Sequence, residues 1–365
     1  MRIIYIHKEE VHKRPPVLTA INHMISLKHQ VILITCGINE SVRNRLEGQG
    51  VEIHVLPYCM AKDKVGKLLE YYKFGKKANE LLKLKYDNNT VVWLEAGATI
   101  VALGGEIKKY RYVLQIQELH HKEQLTLRAI KKVANSAEAI VMPEYNRCVL
   151  YQTWFQLKKR PLVMPNIPAF LPTTEEIDAY ATKYAKFLSQ IRGKRVVIYQ
   201  GYISLDRPLF NYLKAVKSLG NRYCVVLVGK DCGALKKYRE ILPEIIHIDF
   251  LPAPEYLFFT QQAHIGIVNY DEMDLNNAYC APNKIFEYAN YGLPCLGNDI
   301  PGLKFLIEPF NSGKIVDEKD VNSIKDAILE IDNHYEEYSM NAQRMLTSYD
   351  NKATIDRVLK SIELS

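Results

Sequence analysis

A chain of 365 residues exceeds one ordinary domain, and its 48% hydrophobic and 24% charged residues are the mix of a globular protein, which excludes long disorder. Eighteen Gly and 16 Pro exclude collagen-like and low-complexity classes, and no apolar run reaches the ~20 residues that span a bilayer. The net charge of +7 is polarised: residues 1–165 hold 26 Lys and Arg against 15 Asp and Glu, while 166–365 hold 22 against 26, so the first half suits an anionic surface.

From the N-terminus, MRIIYIHKEE has one basic residue, Arg2, ahead of a short strand-like run that is too short for a signal-peptide core. Strands are predicted at Ile3–Ile6, Val31–Thr35, Val51–Leu56, Val91–Leu94, Tyr112–Ile116 and Ala139–Met142, with helices between them such as Val17–Leu27 and Leu125–Ala134. Lys62 to Lys85 holds eight lysines and three acids, interleaved with Leu68, Leu69, Tyr71, Tyr72, Phe74, Leu81, Leu82 and Leu84. It reads as a basic amphipathic helix, broken or frayed at Gly66 and Gly75. A solvated lysine face over an ordinary buried face explains the same pattern.

In the second half the strand runs are Val196–Gln200, Tyr223–Val228, Ile245–Phe250, His264–Val268, Leu293–Gly297 and Gly313–Val316. Helices Pro208–Ser218, Ala234–Ile241, Pro254–Gln262 and Asn283–Tyr291 fill the gaps. Apolar strands alternating with helices imply βαβ units and parallel sheets covered on both faces. A dozen strands fit two sheets of about six better than one. The break falls at Val163–Pro168, where prolines force extended backbone. Thr173–Ile191 follows as one helix with an N-cap signature, and Tyr349–Ile362 is a final helix. The expected division is a first domain 1–165, a second 166–348, and a C-terminal helix 349–365.

Seven cysteines, with no CxxC pair, point to reduced thiols in a cytoplasmic setting rather than to disulfides or zinc. No GxGxxG follows a strand and no P-loop is present, so neither NAD-type nor Walker-type binding has its main support. The strongest segment is Ala281-Pro-Asn-Lys-Ile-Phe-Glu-Tyr-Ala-Asn-Tyr-Gly-Leu-Pro-Cys-Leu-Gly, running on to Ile300-Pro-Gly. Pro282 suits the first helical position, so the amides around Cys280–Lys284 would face the crevice and could hold a phosphate. Lys284 and Glu287 stand one turn apart on one face, where the bland reading is a surface ion pair. Gly292 would end the helix.

PNKIFEYANYGLPCL…DIPG resembles the donor-site signature of GT-B glycosyltransferases, nearest the GT4-like sugar-nucleotide transferases of bacterial surface polysaccharide synthesis. Tyr199-Gln-Gly201-Tyr-Ile-Ser-Leu-Asp-Arg207, Val226-Leu-Val-Gly229-Lys230, Phe250-Leu251-Pro-Ala-Pro and the Val163–Pro168 linker resemble that family in order and spacing. The resemblance implies an α/β fold of two Rossmann-like doubly wound domains facing across a cleft, with the C-terminal helix crossing back to the first domain. It further implies a nucleotide diphosphate-sugar donor, UDP foremost, and a metal-independent hexosyl transfer to a glycan or lipid-linked acceptor in capsule, exopolysaccharide or lipopolysaccharide synthesis. No cofactor and no metal are implied, since basic residues and helix dipoles would neutralise the leaving diphosphate.

Carried over residue by residue, Glu287 would bind the ribose, and Arg207 and Lys230 the diphosphate. Gly201, Phe250, Leu251, Tyr279, Pro282, Asn283 and Lys284 would complete the donor site. Tyr279 stands where retaining members often carry a second glutamate, with Asp271, Glu272 and Asp274 nearby but off register. Glu118 and His120, after the strand Tyr112–Ile116, are the catalytic candidates facing the acceptor, the bland alternative being that one of His120 and His121 caps a helix and the other faces solvent; Glu95 is a weaker candidate. Lys64, Lys67, Lys73, Lys76 and Lys77 would face an acceptor or an anionic membrane, which places the protein in the cytoplasm or peripherally at the inner membrane face. The alternatives are a GT-B-type sugar-nucleotide epimerase, which would show several crevice carboxylates, and a basic nucleic-acid- or membrane-binding protein without catalysis; no nucleic-acid-binding motif is present.

Overall fold

The computed structural model describes every residue except 62, 121–123, 169, 364 and 365, so Lys62 and His121 lie outside the described residues. The chain forms two compact units, Met1–Ala169 with Asp350–Ser365, and Phe170–Tyr349.

The first unit is built on seven parallel strands: β1 (Arg2–Glu10), β2 (Gln30–Gly37), β3 (Glu52–Val55), β4 (Thr90–Glu95), β5 (Tyr112–Gln115), β6 (Ala139–Met142) and β7 (Leu162–Val163). Their order is β3-β2-β1-β4-β5-β6-β7, with Ile4 opposite Ile32 on one side and Val92 on the other. Ile3–Ile6 and Val91–Leu94 are fully buried, because helices cover both faces of the sheet and leave no solvent side for alternating polar residues. The C-terminal helix Asn351–Glu363 belongs to this unit. It packs on the helix Pro15–Ser26, Asn351 Nδ2 donates to the Pro165 carbonyl at 2.7 Å, and Arg111 donates to the Ile362 carbonyl at 3.1 Å.

The second unit holds six parallel strands: β8 (Arg195–Gln200), β9 (Tyr223–Val228), β10 (Ile246–Ile248), β11 (Ile265–Val268), β12 (Cys295–Asn298) and β13 (Gly313–Val316). Their order, β10-β9-β8-β11-β12-β13, is that of a doubly wound nucleotide-binding sheet. The order reverses between β8 and β11 here, and between β1 and β4 in the first unit. At such reversals helices diverge to opposite faces and leave a crevice at the carboxyl ends of the strands.

Three expectations need correction. The helix Lys64–Lys85 runs unbroken through Gly66 and Gly75. Gly66 lies in its first turn, donating to the cap Asp63 at 2.8 Å. At Gly75 a Cβ would lie 2.0 Å from the Ala102 carbonyl oxygen, so the glycine permits a close helix crossing and does not break the helix. The predicted helix 173–191 divides into Thr174–Lys183, with the expected Thr173/Glu176 capping box, and Ala185–Ile191. Tyr184 stands at the division, its hydroxyl donating to Glu255 at 2.5 Å and its ring on Phe258 and Phe259. Pro282 is the cap residue of the helix Asn283–Asn290, one position before the first turn.

Candidate functional site

In the second unit the site is built where β8 and β9 end. Gly201 and Gly229 follow them with φ of 131° and 140°. A Cβ on Gly229 would lie 2.0 Å from the Gly201 carbonyl oxygen, so the two turns close backbone on backbone and only glycine fits. Into the space beside Gly201 reaches Lys284, from the first turn of Asn283–Asn290. That helix ends as expected at Gly292: its amide donates to the Ala289 carbonyl and that of Leu293 to Tyr288, each at 3.0 Å. It lies so deep in the unit that Ile285, Phe286, Tyr288 and Ala289 are buried, and Lys284 and Glu287 with them.

The surface ion pair between Lys284 and Glu287 therefore does not exist. Glu287 accepts from Tyr256 Oη at 2.5 Å and from Gln200 Nε2 at 2.8 Å, while Thr260 donates to the Gln200 side-chain oxygen. Burial pushes its carboxyl up to about 7, against the opposing pull of Tyr256, Lys284 and Gln200. Lys284 Nζ has no hydrogen-bond partner and sits 4.1 Å from the ring centroid of Tyr199 and 5.4 Å from that of Tyr270. Burial, with Arg207 nearby, brings its ammonium down to about 7. Arg207 stacks on the other aromatic partner, 4.1 Å from the Tyr270 centroid. Two cations thus rest on ring faces where a carboxylate would normally stand.

The scaffold around them is fixed. Asn298, ending β12, exchanges hydrogen bonds with the backbone of Tyr270 at 3.1 and 2.7 Å, and Asn269 donates to the Pro208 carbonyl beside Arg207 at 3.0 Å. Lys230 is exposed on the turn after β9, and Phe250 and half-buried Leu251 follow β10. Tyr279 and Asn283 are half-buried, and Pro282 is buried. The acids near Tyr279 serve local structure: Asp274 caps the turn Leu275–Ala278, Asp271 accepts from Asn277 at 3.1 Å, and Glu272 pairs with Lys319 at 3.8 Å. Sequence reasoning missed Gln200, Tyr256, Tyr199 and Tyr270 as parts of the cluster. The available signal was a glutamine closing an otherwise apolar strand.

In the first unit, His7 of β1 and Glu95, the last residue of β4, meet at the strand reversal, Nδ1 to Oε2 at 3.2 Å. His7 is wholly buried and its Nε2 has no partner. Beyond β5 the backbone of 117–120 is clamped by the helix Tyr145–Phe155: Arg147 donates to the Gln117 carbonyl, Tyr151 Oη donates to that of Glu118 at 3.1 Å, and the His120 amide donates to Tyr151 Oη at 3.4 Å. Glu118 is exposed and pairs with Arg147 at 3.8 Å. His120 is half-buried; its Nε2 lies 3.8 Å from where Gly97 would carry a Cβ, which brings it to the corner just after Glu95. Burial lowers its pKa, with Glu118 opposing, which favours the neutral ring. Arg14 donates to Glu9 at 2.7 Å and feels the charges of Glu95 and Glu118. Sequence reasoning missed His7, which has the pattern of any strand residue. Among the described residues no group of three or more His, Cys, Asp or Glu is placed to hold a metal ion.

No protein-family model and no curated protein matches the sequence. Solved structures do match. A glycosyltransferase from Rickettsia africae ESF-5 superimposes with a TM-score of 0.71 at 11% identity, over 99% of this chain and 97% of that one. Anabaena Alr3699/HepE in complex with UDP and glucose gives 0.69 at 14% identity, over 100% of both chains. WaaG, a glycosyltransferase involved in lipopolysaccharide biosynthesis, gives 0.64 at 13%, over 99% of both. The chain has the GT-B fold. Within a GT-B chain the two strand reversals are the places where the fold itself exposes strand ends, and both carry buried charged groups here. Identity this low fixes the fold and leaves the chemistry to be argued from the side chains.

Proposed function

We propose that this protein is a glycosyltransferase that takes a sugar from a nucleoside diphosphate-sugar, with a UDP-hexose as the first candidate donor. The observation that carries the reading is the pair Lys284 and Arg207, held on Tyr199 and Tyr270 with no carboxylate in ion-pair distance among the described residues. A buried cation without a counter-ion is costly unless an anion arrives. A diphosphate supplies it, with the amides of Asn283 and Lys284 at the helix start and Lys230 at the rim. Glu287 lies one helical turn further on; each of its oxygens retains a lone pair beyond its present bond and accepts a ribose hydroxyl. Phe250 and Leu251 supply the edge for the base, and Tyr279 stands beside the sugar. HepE, solved with UDP-glucose at a TM-score of 0.70, supports the choice of UDP.

In this reading protein cations stabilise the leaving diphosphate, with no metal required. The acceptor, a glycan or lipid-linked sugar, is served by the first unit, where neutral His120 takes the hydroxyl proton and Glu118 orients the acceptor. WaaG, by its role in lipopolysaccharide biosynthesis, supports a surface-polysaccharide acceptor.

The test is a thermal-shift panel of UDP-, GDP- and TDP-sugars, followed by detection of transfer or slow donor hydrolysis. A donor at 100 times its Kd should stabilise the fold by about 2.7 kcal/mol. A flat response to every nucleotide sugar at millimolar concentration sinks the proposal.

A further inference from the structure

Two cysteines far apart in the chain meet where β2 and β3 end. Thr35 stands opposite Val55 in the parallel pair, and the Leu56 amide donates to the Thr35 carbonyl at 2.8 Å. The Tyr58 amide then folds back on the Leu56 carbonyl at 2.7 Å, turning the chain at Pro57 toward Cys36, the last residue but one of β2. The Cys36 thiol donates to the Tyr58 carbonyl at 3.5 Å, and Lys8 of β1 donates to the same oxygen at 2.9 Å. On the far side of Cys59, Glu70 accepts from the Met60 and Ala61 amides at 2.8 and 2.9 Å. Cys59 is thus held from both flanks, with its thiol and that of Cys36 within hydrogen-bond reach of each other. Of the seven cysteines, all described, Cys59 is half-buried, Cys232 is exposed and the other five are buried.

We propose that Cys36 and Cys59 are a modification site, forming a reversible disulfide when the protein meets a peroxide. Exposure sets the order of events. Peroxide reaches the half-buried Cys59, gives one oxygen to its sulfur and leaves as water, so that Cys59 becomes a sulfenic acid. The Cys36 sulfur attacks that sulfur, the S–O bond breaks, and the hydroxide departs as water with the Cys36 proton. Two thiols are oxidised and one peroxide is reduced to two waters; an external dithiol reverses the bridge by exchange. Burial holds Cys36 up at about 12 and Cys59 above its ordinary value, while Lys8 draws both toward the reactive thiolate. Reaction is therefore slow at neutral pH, and the pair answers sustained oxidant rather than traces. The bridge would fasten the loop leading into the helix Lys64–Lys85 to the end of β2. Lys8 adjoins His7 on β1 and shares the Tyr58 carbonyl, so the restraint falls beside the strand ends that carry His7 and Glu95. The inference does not depend on the transferase reading.

The test is a peptide map of the folded full chain carrying Cys232→Ser, which removes the exposed competing thiol. The protein is treated with millimolar hydrogen peroxide, alkylated and cut with trypsin. Residues 29–43 should appear joined to 46–62, lighter by two hydrogens than the two reduced peptides together. Dithiothreitol given before alkylation should separate them. Before oxidation, iodoacetamide should label Cys59 at least ~10-fold faster than the buried Cys36, and afterwards neither. Cys36→Ser should abolish the joined peptide and leave a Cys59 sulfenic acid that dimedone traps, whereas Cys59→Ser should leave Cys36 reduced. A joined peptide that forms only in urea, that links two chains, or that never forms under sustained peroxide overturns the proposal. So does dimedone capture at Cys36 in preference to Cys59. The joined peptide is read with both cysteines in place, so poor folding of either serine variant does not decide the outcome.

Discussion

The two strand reversals solve the same problem, charge at the end of a buried sheet, in opposite ways. Around the ends of β1, β4 and β5 most charges are matched, His7 with Glu95, Arg14 with Glu9 and Arg147 with Glu118, while Lys8 donates to the Tyr58 carbonyl over the Tyr71 ring. At β8 and β11 the cations Lys284 and Arg207 lean on Tyr199 and Tyr270, and the buried carboxylate Glu287 is satisfied by neutral donors, Tyr256 and Gln200. Ring faces attract a cation without neutralising it, and a hydroxyl or amide holds a carboxylate without cancelling its charge. The second end therefore retains its charges for a ligand, and the first has spent most of its own. In the proposed reading, anion binding belongs to the second end and proton handling to the first.

Removing the buried carboxylate should have the largest effect. Glu287→Gln keeps the shape and should lower donor affinity by ~1.5–3 kcal/mol, the worth of a charged hydrogen bond, with transfer falling to background. Glu287→Ala should also lower stability by about 1–3 kcal/mol, since Tyr256 and Gln200 lose their acceptor. Donor titration beside urea denaturation separates the two losses. A folded Gln variant with unchanged donor affinity and turnover removes Glu287 from the site.

At the first end, His120→Gln should lower kcat by ~10²-fold or more while leaving the donor Kd as it was, because a proton acceptor contributes in the transition state only. Glu118→Gln, whose exposed carboxylate reaches the buried Arg147 only at 3.8 Å, should cost less. If either weakens UDP binding as much as it slows transfer, the division of labour between the two ends is wrong.

The sheets were legible because buried parallel strands write themselves as short apolar runs, and the twelve runs Ile3–Ile6 through Gly313–Val316 each coincide with a strand. The strand β7, two residues long, left no such run. Helix interruptions were misread: Gly75 looks like a breaker in sequence, and only the Ala102 carbonyl above it shows why it is there. The helix carrying Lys284 and Glu287 was legible from Pro282 and Gly292, but its depth was not, because burial of a charged pair is set by what Gln200 and Tyr256 bring from 87 and 31 residues away. His7 illustrates the same limit: its partner Glu95 is 88 residues distant.

Lys284→Met and Arg207→Ala sharpen the comparison further. Each should weaken UDP and UDP-sugars by roughly 1.5–3 kcal/mol, while uridine, which has no phosphate, changes little. Isothermal titration with the three ligands measures this, and an equal loss for uridine would place both cations away from the phosphates. Arg14→Gln, at the matched end, should leave all three affinities unchanged.

The smallest effect is the most specific, since it reads the two shifted groups together. Lys284 titrates at about 7, below its ordinary 10.5, and Glu287 at about 7, above its ordinary 4.5. Donor binding needs the ammonium charged and the carboxylate ionised, so affinity for a UDP-sugar should rise with pH up to about 7 and fall above it, by at most about tenfold per pH unit on either arm. Stability moves the other way. Between 4.5 and 7 the folded state holds the Glu287 proton that the unfolded chain has released, so this group's contribution falls as pH rises through that window. Between 7 and 10.5 the unfolded chain holds the Lys284 proton that the folded state has lost, so that contribution rises with pH. The pair is thus least stabilising near pH 7, where the site binds best, as expected of charges kept for a ligand rather than for the fold. Glu287→Gln should erase the rising arm of the binding profile and Lys284→Met the falling one, each also removing its own limb of the stability curve. A binding profile that keeps both arms in either variant would assign the titration to other groups and return these two residues to a purely structural role.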